Sequence, residues 1–266
     1  MTNSNIDIIY QDEQIIVINK PPGLSVTKDR SSTENLTSVL NNQFTQSPAG
    51  RILLIHRLDK ETSGVMLLAK SKDAQRKFTQ IFEDRLVKKT YLALVRGRAA
   101  STRGTIDKPI GPKKEGGQFM CINSKMSRPS VTEWSVLADF GSLLLLVVRP
   151  LTGRTHQIRV HLSSIGLKII ADPLYGYARE LYLSEFKGDY RLGRGQTEKP
   201  LIDRLALHAY SLEFNPPLSD TPPFFLAPLD KKFKAAIKML TKYNRKGVEA
   251  FTESDMYQKI LDAEKI

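Results

Sequence analysis

"HRLDKETSGVMLLAKS", His56 to Ser71, decides the fold. Its second half admits two readings. Gly64 and the pair Lys70-Ser71 bring it within one substitution of a phosphate-binding loop, G-x-x-x-x-G-K-[S/T], which would open a nucleotide-binding domain. Such a loop has to turn successive main-chain N–H groups toward phosphate, and Val65-Met66-Leu67-Leu68-Ala69 is an unbroken apolar run. The segment therefore reads as a strand buried on both faces. Ser71 then becomes the N-cap of a helix whose apolar positions Ala74, Phe78, Ile81, Phe82 and Leu86 recur at intervals of three and four. The first half follows the apolar run Ile52-Leu53-Leu54-Ile55 and places Asp59 between bases, ahead of a tight turn at Thr62-Ser63-Gly64. A carboxylate in a loop held by a sheet is well placed for function. It also fits a turn cap paired with Arg57 or Lys60, and composition does not separate the two.

Working outward, Ile6–Tyr10 and Gln14–Asn19 read as a hairpin, followed by a rigid turn at Lys20-Pro21-Pro22-Gly23-Leu24. A short helix is expected near Leu36–Leu40. "TYLALVR" (Thr90–Arg96) alternates as a strand, and Ala99–Ser130 reads as exposed loops or a small β-rich insertion. Val131–Ala138 and Leu143–Val148 form a second hairpin around Asp139-Phe140-Gly141-Ser142. "TGRTHQIRVHLSSIG" predicts a helix capped near Thr155 and ended by Gly166, with Ile158, Leu162 and Ile165 buried and His156, Arg159 and Ser163 on another face. Residues 176–200 are polar surface. Late strands are expected over Leu205–Phe214 and Phe224–Leu229, and a charged helix with Phe233, Ile237 and Leu240 inside begins at Lys231.

This pattern predicts an α/β fold of the α+β type: a mixed, largely antiparallel central sheet flanked by helices and loops, crossed by a basic cleft. The expected organisation is a catalytic domain over residues 1–230 with a C-terminal helical extension over 231–266.

The chain has 266 residues, 40 Lys and Arg against 28 Asp and Glu, and a net charge of +12, which favours a polyanionic partner. One cysteine, Cys121, permits neither an internal disulfide nor a Cys-rich zinc site and suits a reducing compartment. No leader or apolar span is evident, so a cytoplasmic protein is expected. The letters His56-Arg57-Leu58-Asp59 and Asp139-Phe140-Gly141 also occur in protein kinases, yet no Gly-rich phosphate loop accompanies them, and Asp139–Gly141 is explained as turn chemistry. His56, His156, His161 and His208 do not have metal-ligand spacing, and no metal is expected.

The motifs together are more specific. "NKPPGLSV" (19–26), "HRLDKETSG" (56–64), "KKTYLALV" (88–95), "PLTGRTHQIRVHL" (150–162), "DPLYG" (172–176) and "LHAYSLEFNPP" (207–217) stand in the order of the RluA family of RNA pseudouridine synthases, which the chain resembles from about Ile6 to Leu229. The resemblance implies the pseudouridine synthase fold and the isomerisation of uridine to pseudouridine in structured RNA, ribosomal or transfer. By motif position Asp59 matches the catalytic aspartate, Tyr91 the active-site tyrosine, and Arg159 the arginine that pairs with the aspartate. Arg57 matches a residue that fills the gap left by the everted base.

The chemistry suits those residue types. A carboxylate kept ionised by an arginine can act as nucleophile or assist glycosidic cleavage, and a tyrosine can stack on uracil and move a proton. Lys88, Lys89, Arg154, His56 and His156 are further RNA-contact candidates. No cofactor, metal or nucleotide is required, and a monomer acting on rRNA or tRNA away from membranes is expected. The alternative is a non-catalytic basic RNA-binding or chaperone protein on the same fold, which would have no need of Asp59, Tyr91 and Arg159 together.

Overall fold

The computed structural model describes residues 5–27, 35–44, 51–113, 119–123, 125–215, 218 and 221–243. In chain order the strands are β1 (Asp7–Gln11), β2 (Ile15–Lys20), β3 (Leu53–Leu54), β4 (Ser63–Ala69), β5 (Val87–Arg96), β6 (Arg103–Asp107), β7 (Ile110–Pro112), β8 (Met120–Ile122), β9 (Val131–Asp139), β10 (Leu143–Pro150), β11 (Lys168–Ile169), β12 (Leu207–Phe214) and β13 (Phe224–Leu226). The helices are α1 (Leu36–Gln43), α2 (Lys72–Glu83), α3 (Gln157–Ser164) and α4 (Lys231–Tyr243). They fall into two compact units, one of residues 1–90 with 208–228 and the other of residues 91–207 with 229–266.

In the first unit β4 is the centre. β2 lies antiparallel along one edge, from Ile15 opposite Ala69 to Lys20 opposite Gly64. The other edge is shared by β3, antiparallel at Leu53 and Leu54, and by β12, parallel at His208 and Ala209. A strand paired on both edges and covered on both faces has no polar side to show, and all seven residues of β4 are buried. Gly64 is fixed by the parallel neighbour: its φ is +113°, and a Cβ there would lie 2.1 Å from the Ala209 carbonyl oxygen. β1 pairs with β2 as the expected first hairpin, and β13 extends the sheet beside β12.

Ser71 caps α2 as its sequence predicts, its hydroxyl accepting from the Ala74 N–H at 3.1 Å. The helix stops earlier than the apolar period suggests. Arg85 takes a left-handed conformation (φ 60°) and the Leu86 N–H closes back onto the Ile81 carbonyl, leaving Leu86 outside the helix and exposed.

In the second unit the sheet runs β5-β10-β9-β6, all antiparallel, and β11 pairs with β5 at Lys168 and Ile169. The glycine- and lysine-rich insertion supplies β6 at the sheet edge and a small two-stranded sheet of β7 and β8. In the first unit the parallel pairing of β12 with β4 among antiparallel ladders makes that sheet mixed and largely antiparallel, and helices flank the strands, as the sequence predicts.

α3 departs from expectation twice. Its N-cap is His156, left-handed at φ 55°, not Thr155. It is not amphipathic either: Gln157 through Leu162 are all buried, because β8, β9, β10 and β11 all pack around it. α4 is amphipathic, with Phe233, Ala236, Ile237 and Leu240 buried. The part of the expected C-terminal extension beyond Tyr243 lies outside the described residues.

Candidate active site

In the first unit Asp59 stands half-exposed on the loop that enters β4. The main chain closes this loop, the Thr62 N–H donating to the Asp59 carbonyl at 3.2 Å, so the turn covers 59–62, and Ser63 and Gly64 already belong to the strand. Behind it the Pro-Pro-Gly turn is tied on by the Gly23 N–H, which donates to the Lys60 carbonyl at 2.9 Å. Lys20 adds the stronger tie. Its side chain is wholly buried, and its ammonium donates to the Lys60 and Pro21 carbonyls, each at 2.9 Å. Burial brings its pKa down to about 8, against the opposing pull of Glu61 and Asp59. A buried cation thus sits beneath the loop that presents Asp59.

His56 has a different role from the RNA contact expected of it. Its Nε2 accepts the Leu67 N–H at 3.0 Å, and its ring stacks on Phe82 with centroids 4.4 Å apart. An accepting Nε2 requires the proton on Nδ1. Burial, with the charge of Lys89 behind it, holds the pKa down at about 3, so the imidazole is neutral and anchors the loop's first residue to β4. Arg57 is exposed. Lys88 is exposed and ion-paired to Glu213 at 3.1 Å, and Lys89 is half-buried, with burial and then Arg85 lowering its pKa to about 8.

In the second unit Tyr91 lies opposite Val148 in the β5–β10 ladder, half-exposed, with the wholly buried Leu92 following it. Arg159 projects from α3 and is only 4% exposed. Asp172 meets it as a fork: Arg159 Nε donates to Oδ2 at 2.9 Å and Nη2 to Oδ1 at 2.7 Å. Asp172 Oδ1 also accepts the N–H groups of Leu174 and Tyr175, at 2.9 and 3.2 Å. Burial raises the Asp172 pKa, but the Arg159 hydrogen bonds and charge, with those two N–H groups, outweigh it and leave the pKa below its ordinary value. The Tyr175 ring faces the Arg159 guanidinium carbon at 5.1 Å, while its hydroxyl accepts from the Met120 N–H at 2.7 Å and bonds His156 Nδ1 at 2.9 Å. Arg159 is therefore held by carboxylate and ring from one short turn.

The left-handed entry to α3 has its own support. Gln157 Oε1 accepts from the Arg154 N–H and the Thr152 hydroxyl, and its Nε2 donates to the Val131 carbonyl and Thr132 hydroxyl. The Thr132 hydroxyl in turn bonds His161 Nδ1 at 2.8 Å. Arg154 is half-buried, its Nε turned toward the Pro129 carbonyl at 3.4 Å.

Of the expected site residues, His56, Arg57, Asp59, Lys88 and Lys89 thus belong to the first unit and Tyr91, Arg154, His156 and Arg159 to the second. Lys20, Asp172, Tyr175 and Gln157 are functional candidates not singled out from the sequence, although Gln157 follows His156, which was, and all four lie within a quoted motif. Among the described residues no group of three or more His, Cys, Asp or Glu side chains could hold a metal ion, and no helix is long and apolar enough to cross a membrane.

Comparison with known proteins gives consistent results. A family model described as RNA pseudouridylate synthase matches residues 14–164, which include Asp59, Tyr91 and Arg159. A Haemophilus influenzae protein named an uncharacterized RNA pseudouridine synthase is 33% identical over 210 residues, 79% of this chain and 82% of that one. Ribosomal large subunit pseudouridine synthase C of Vibrio parahaemolyticus is 34% identical over 238 residues, covering 89% of this chain and 70% of its own. Among solved structures, human RNA pseudouridylate synthase domain containing 4 superposes with a TM-score of 0.67 at 28% identity, covering 88% of this chain and 92% of that one.

Proposed function

The chain belongs to the RNA pseudouridylate synthase family, and from that premise we propose that it isomerises uridines of large-subunit ribosomal RNA with Asp59, Tyr91 and Arg159 as its working side chains. The target uridine leaves its stack, at a cost of a few kcal/mol that is smaller in a loop. The bond from uracil N1 to the sugar breaks with the help of the Asp59 carboxylate. The base turns over, its C5 bonds to the sugar carbon, and the C5 proton departs while N1 regains one. In this reading Arg159 supplies a fixed guanidinium for the reaction, Tyr91 stacks on the uracil and moves the C5 proton, and Arg57 fills the space left by the base.

The observation that carries this reading is the fork of Arg159 on Asp172. A guanidinium nearly sealed from water and held at two nitrogens cannot sweep the surface as a phosphate-binding arginine does. Its fixed placement suits the orientation of one acceptor. Ribosomal RNA is favoured over transfer RNA by the relatives named as large-subunit synthases. A monomer acting in the cytoplasm fits that substrate, where the lone Cys121 would stay reduced.

The test is tritium release from RNA carrying uridine labelled at C5, with ribosomal and transfer RNA supplied separately. Wild type should release tritium from ribosomal RNA and Asp59→Asn should not. Release from transfer RNA alone would move the substrate, and no release from either would end the reading.

A further inference from the structure

α4 lies beyond the matched span of 14–164 and has two unlike faces. Phe233, Ala236, Ile237 and Leu240 are buried. Lys231, Lys234, Lys238 and Lys242 stand at i, i+3, i+7 and i+11, which at 3.6 residues per turn puts them within roughly a quarter of the helix circumference, in a row about 16 Å long. The fifth lysine, Lys232, is off this row and ion-paired to Asp203. Asp230 caps the helix, its Oδ1 accepting the Lys232 and Phe233 N–H groups at 2.9 and 3.0 Å.

Helix physics argues against such a row for its own sake. Lys231, Lys232 and Lys234 place cations in the first turn, beside the positive end of the macrodipole, where acids belong. Lys234 with Lys238 and Lys238 with Lys242 are like-charged i,i+4 pairs, and no Asp or Glu occurs from Lys231 to Tyr243. A further cation arrives from elsewhere in the same unit: Lys187 Nζ lies 5.0 Å from the centre of the Tyr243 ring, and Lys242 Nζ lies 5.3 Å from it. A helix face with this density of basic side chains is the electrostatic footprint of a polyanion site.

We propose that the lysine row of α4, extended at its C-terminal end by Lys187, docks the phosphate backbone of an RNA stem flanking the modified loop. The proposal rests on RNA being the substrate and adds a second place where that RNA is held. A duplex strand offers a phosphate about every 3 Å along its axis, so a straight 16 Å row meets several in succession. Lysines make compact, sequence-independent charge contacts. A single-stranded RNA surface interleaves aromatic rings for base stacking, whereas no ring separates the four lysines of this row and Tyr243 at its end is already flanked by the ammonium groups of Lys187 and Lys242. A membrane-surface helix inserts its apolar face, whereas that of α4 is buried within the protein.

The experiment compares the full-length protein with a variant carrying Lys→Gln at positions 231, 234, 238 and 242, and with a second carrying Lys→Arg at the same four. The probes are a target loop on a long duplex stem and the same loop on a minimal stem. The Gln variant should bind the long-stem RNA at least tenfold more weakly, and the dependence of log K on log salt should flatten by about 0.9 for each phosphate no longer neutralised. Binding to the minimal stem and tritium release at saturating RNA should be unchanged, and the Arg variant should bind as wild type does. Should the fourfold Gln variant misfold, the pair K231Q/K242Q, at the two ends of the row, should give about half the flattening. Equal loss on both stems, or an unchanged salt dependence, overturns the proposal. So does lysine-dependent binding to phosphatidylserine vesicles with RNA binding unaltered. If wild type released no tritium from any RNA the catalytic reading would fall, while the binding comparison would still judge the lysine row.

Discussion

Asp59 and Asp172 are both aspartates in loops beside buried elements, yet they are held in opposite ways. Asp59 stands half-exposed on a turn fixed by main-chain bonds and by Lys20 from beneath. Asp172 is sealed, locked in a fork with Arg159 and bonded by two further N–H groups. The difference separates a carboxylate left accessible to a substrate from one committed to holding another side chain. Altering Asp59 should therefore strike the chemistry and spare stability, whereas altering Asp172 should strike stability first.

The largest effect should come from Asp59. Asp59→Asn preserves shape and removes charge, and tritium release should fall about 10⁴-fold, roughly 5 kcal/mol of barrier. Its urea midpoint should stay near that of wild type, since the loop is closed by main-chain bonds and Lys20. A large loss of stability in this variant would erase the contrast between the two aspartates.

Asp172→Ala is the converse. It leaves a buried guanidinium without its fork, which should cost about 3–5 kcal/mol of unfolding free energy, read by urea denaturation. The fraction still folded should also lose activity, because Arg159 would no longer be held in one orientation. Asp172→Asn, which keeps one acceptor oxygen, should fall between wild type and Ala on both measures.

Beneath Asp59, Lys20 gives the comparison a pH axis. Its ammonium titrates near 8 in the fold and at 10.5 ordinarily. Between those values the unfolded chain holds more protons than the folded one, so stability should rise as pH climbs from about 8 toward 10.5. Comparing urea unfolding at pH 7.5 and 9.5, Lys20 should add about 2 kcal/mol at the higher pH. Lys20→Met should remove that share of the rise, and the remainder should follow Lys89, which shifts in the same direction. A flat profile in wild type would mean that the Asp59 loop does not rest on a desolvated cation.

What the sequence makes legible divides along similar lines. Features set by a few neighbouring residues are readable: the first hairpin, the Ser71 cap and the unbroken run of β4. Helix ends set by main-chain conformation are not. Leu86 continues the apolar period of α2, but a left-handed Arg85 has already turned the chain, and His156 takes the cap that Thr155 offers by residue type. α3 reads as amphipathic because His161, Gln157 and Arg159 are polar, yet each is buried with partners drawn from distant strands and turns. Lys20 and Asp172 escape a sequence reading for the same reason. A buried lysine or a forked aspartate is a fact of tertiary packing, and only the motifs "NKPPGLSV" and "DPLYG" around them hint at it.

The smallest predicted effect tests the contact expected of Lys88. Its ammonium pairs with Glu213 at 3.1 Å with both side chains about half exposed, 51% and 44%. Such a pair gains modest Coulomb energy in high dielectric and loses rotamer freedom, so Lys88→Ala should change stability by no more than about 0.5 kcal/mol. If Lys88 also meets phosphate it must leave Glu213, and RNA binding should then weaken by only a few-fold, with about one unit less salt dependence. Glu213→Gln sharpens the point, because freeing Lys88 from its acid should tighten RNA binding if the lysine faces the RNA and leave it unchanged if the pair is only a solvated surface feature. The sign of that single response tells whether this edge of the first unit carries RNA alongside Asp59 or merely borders it.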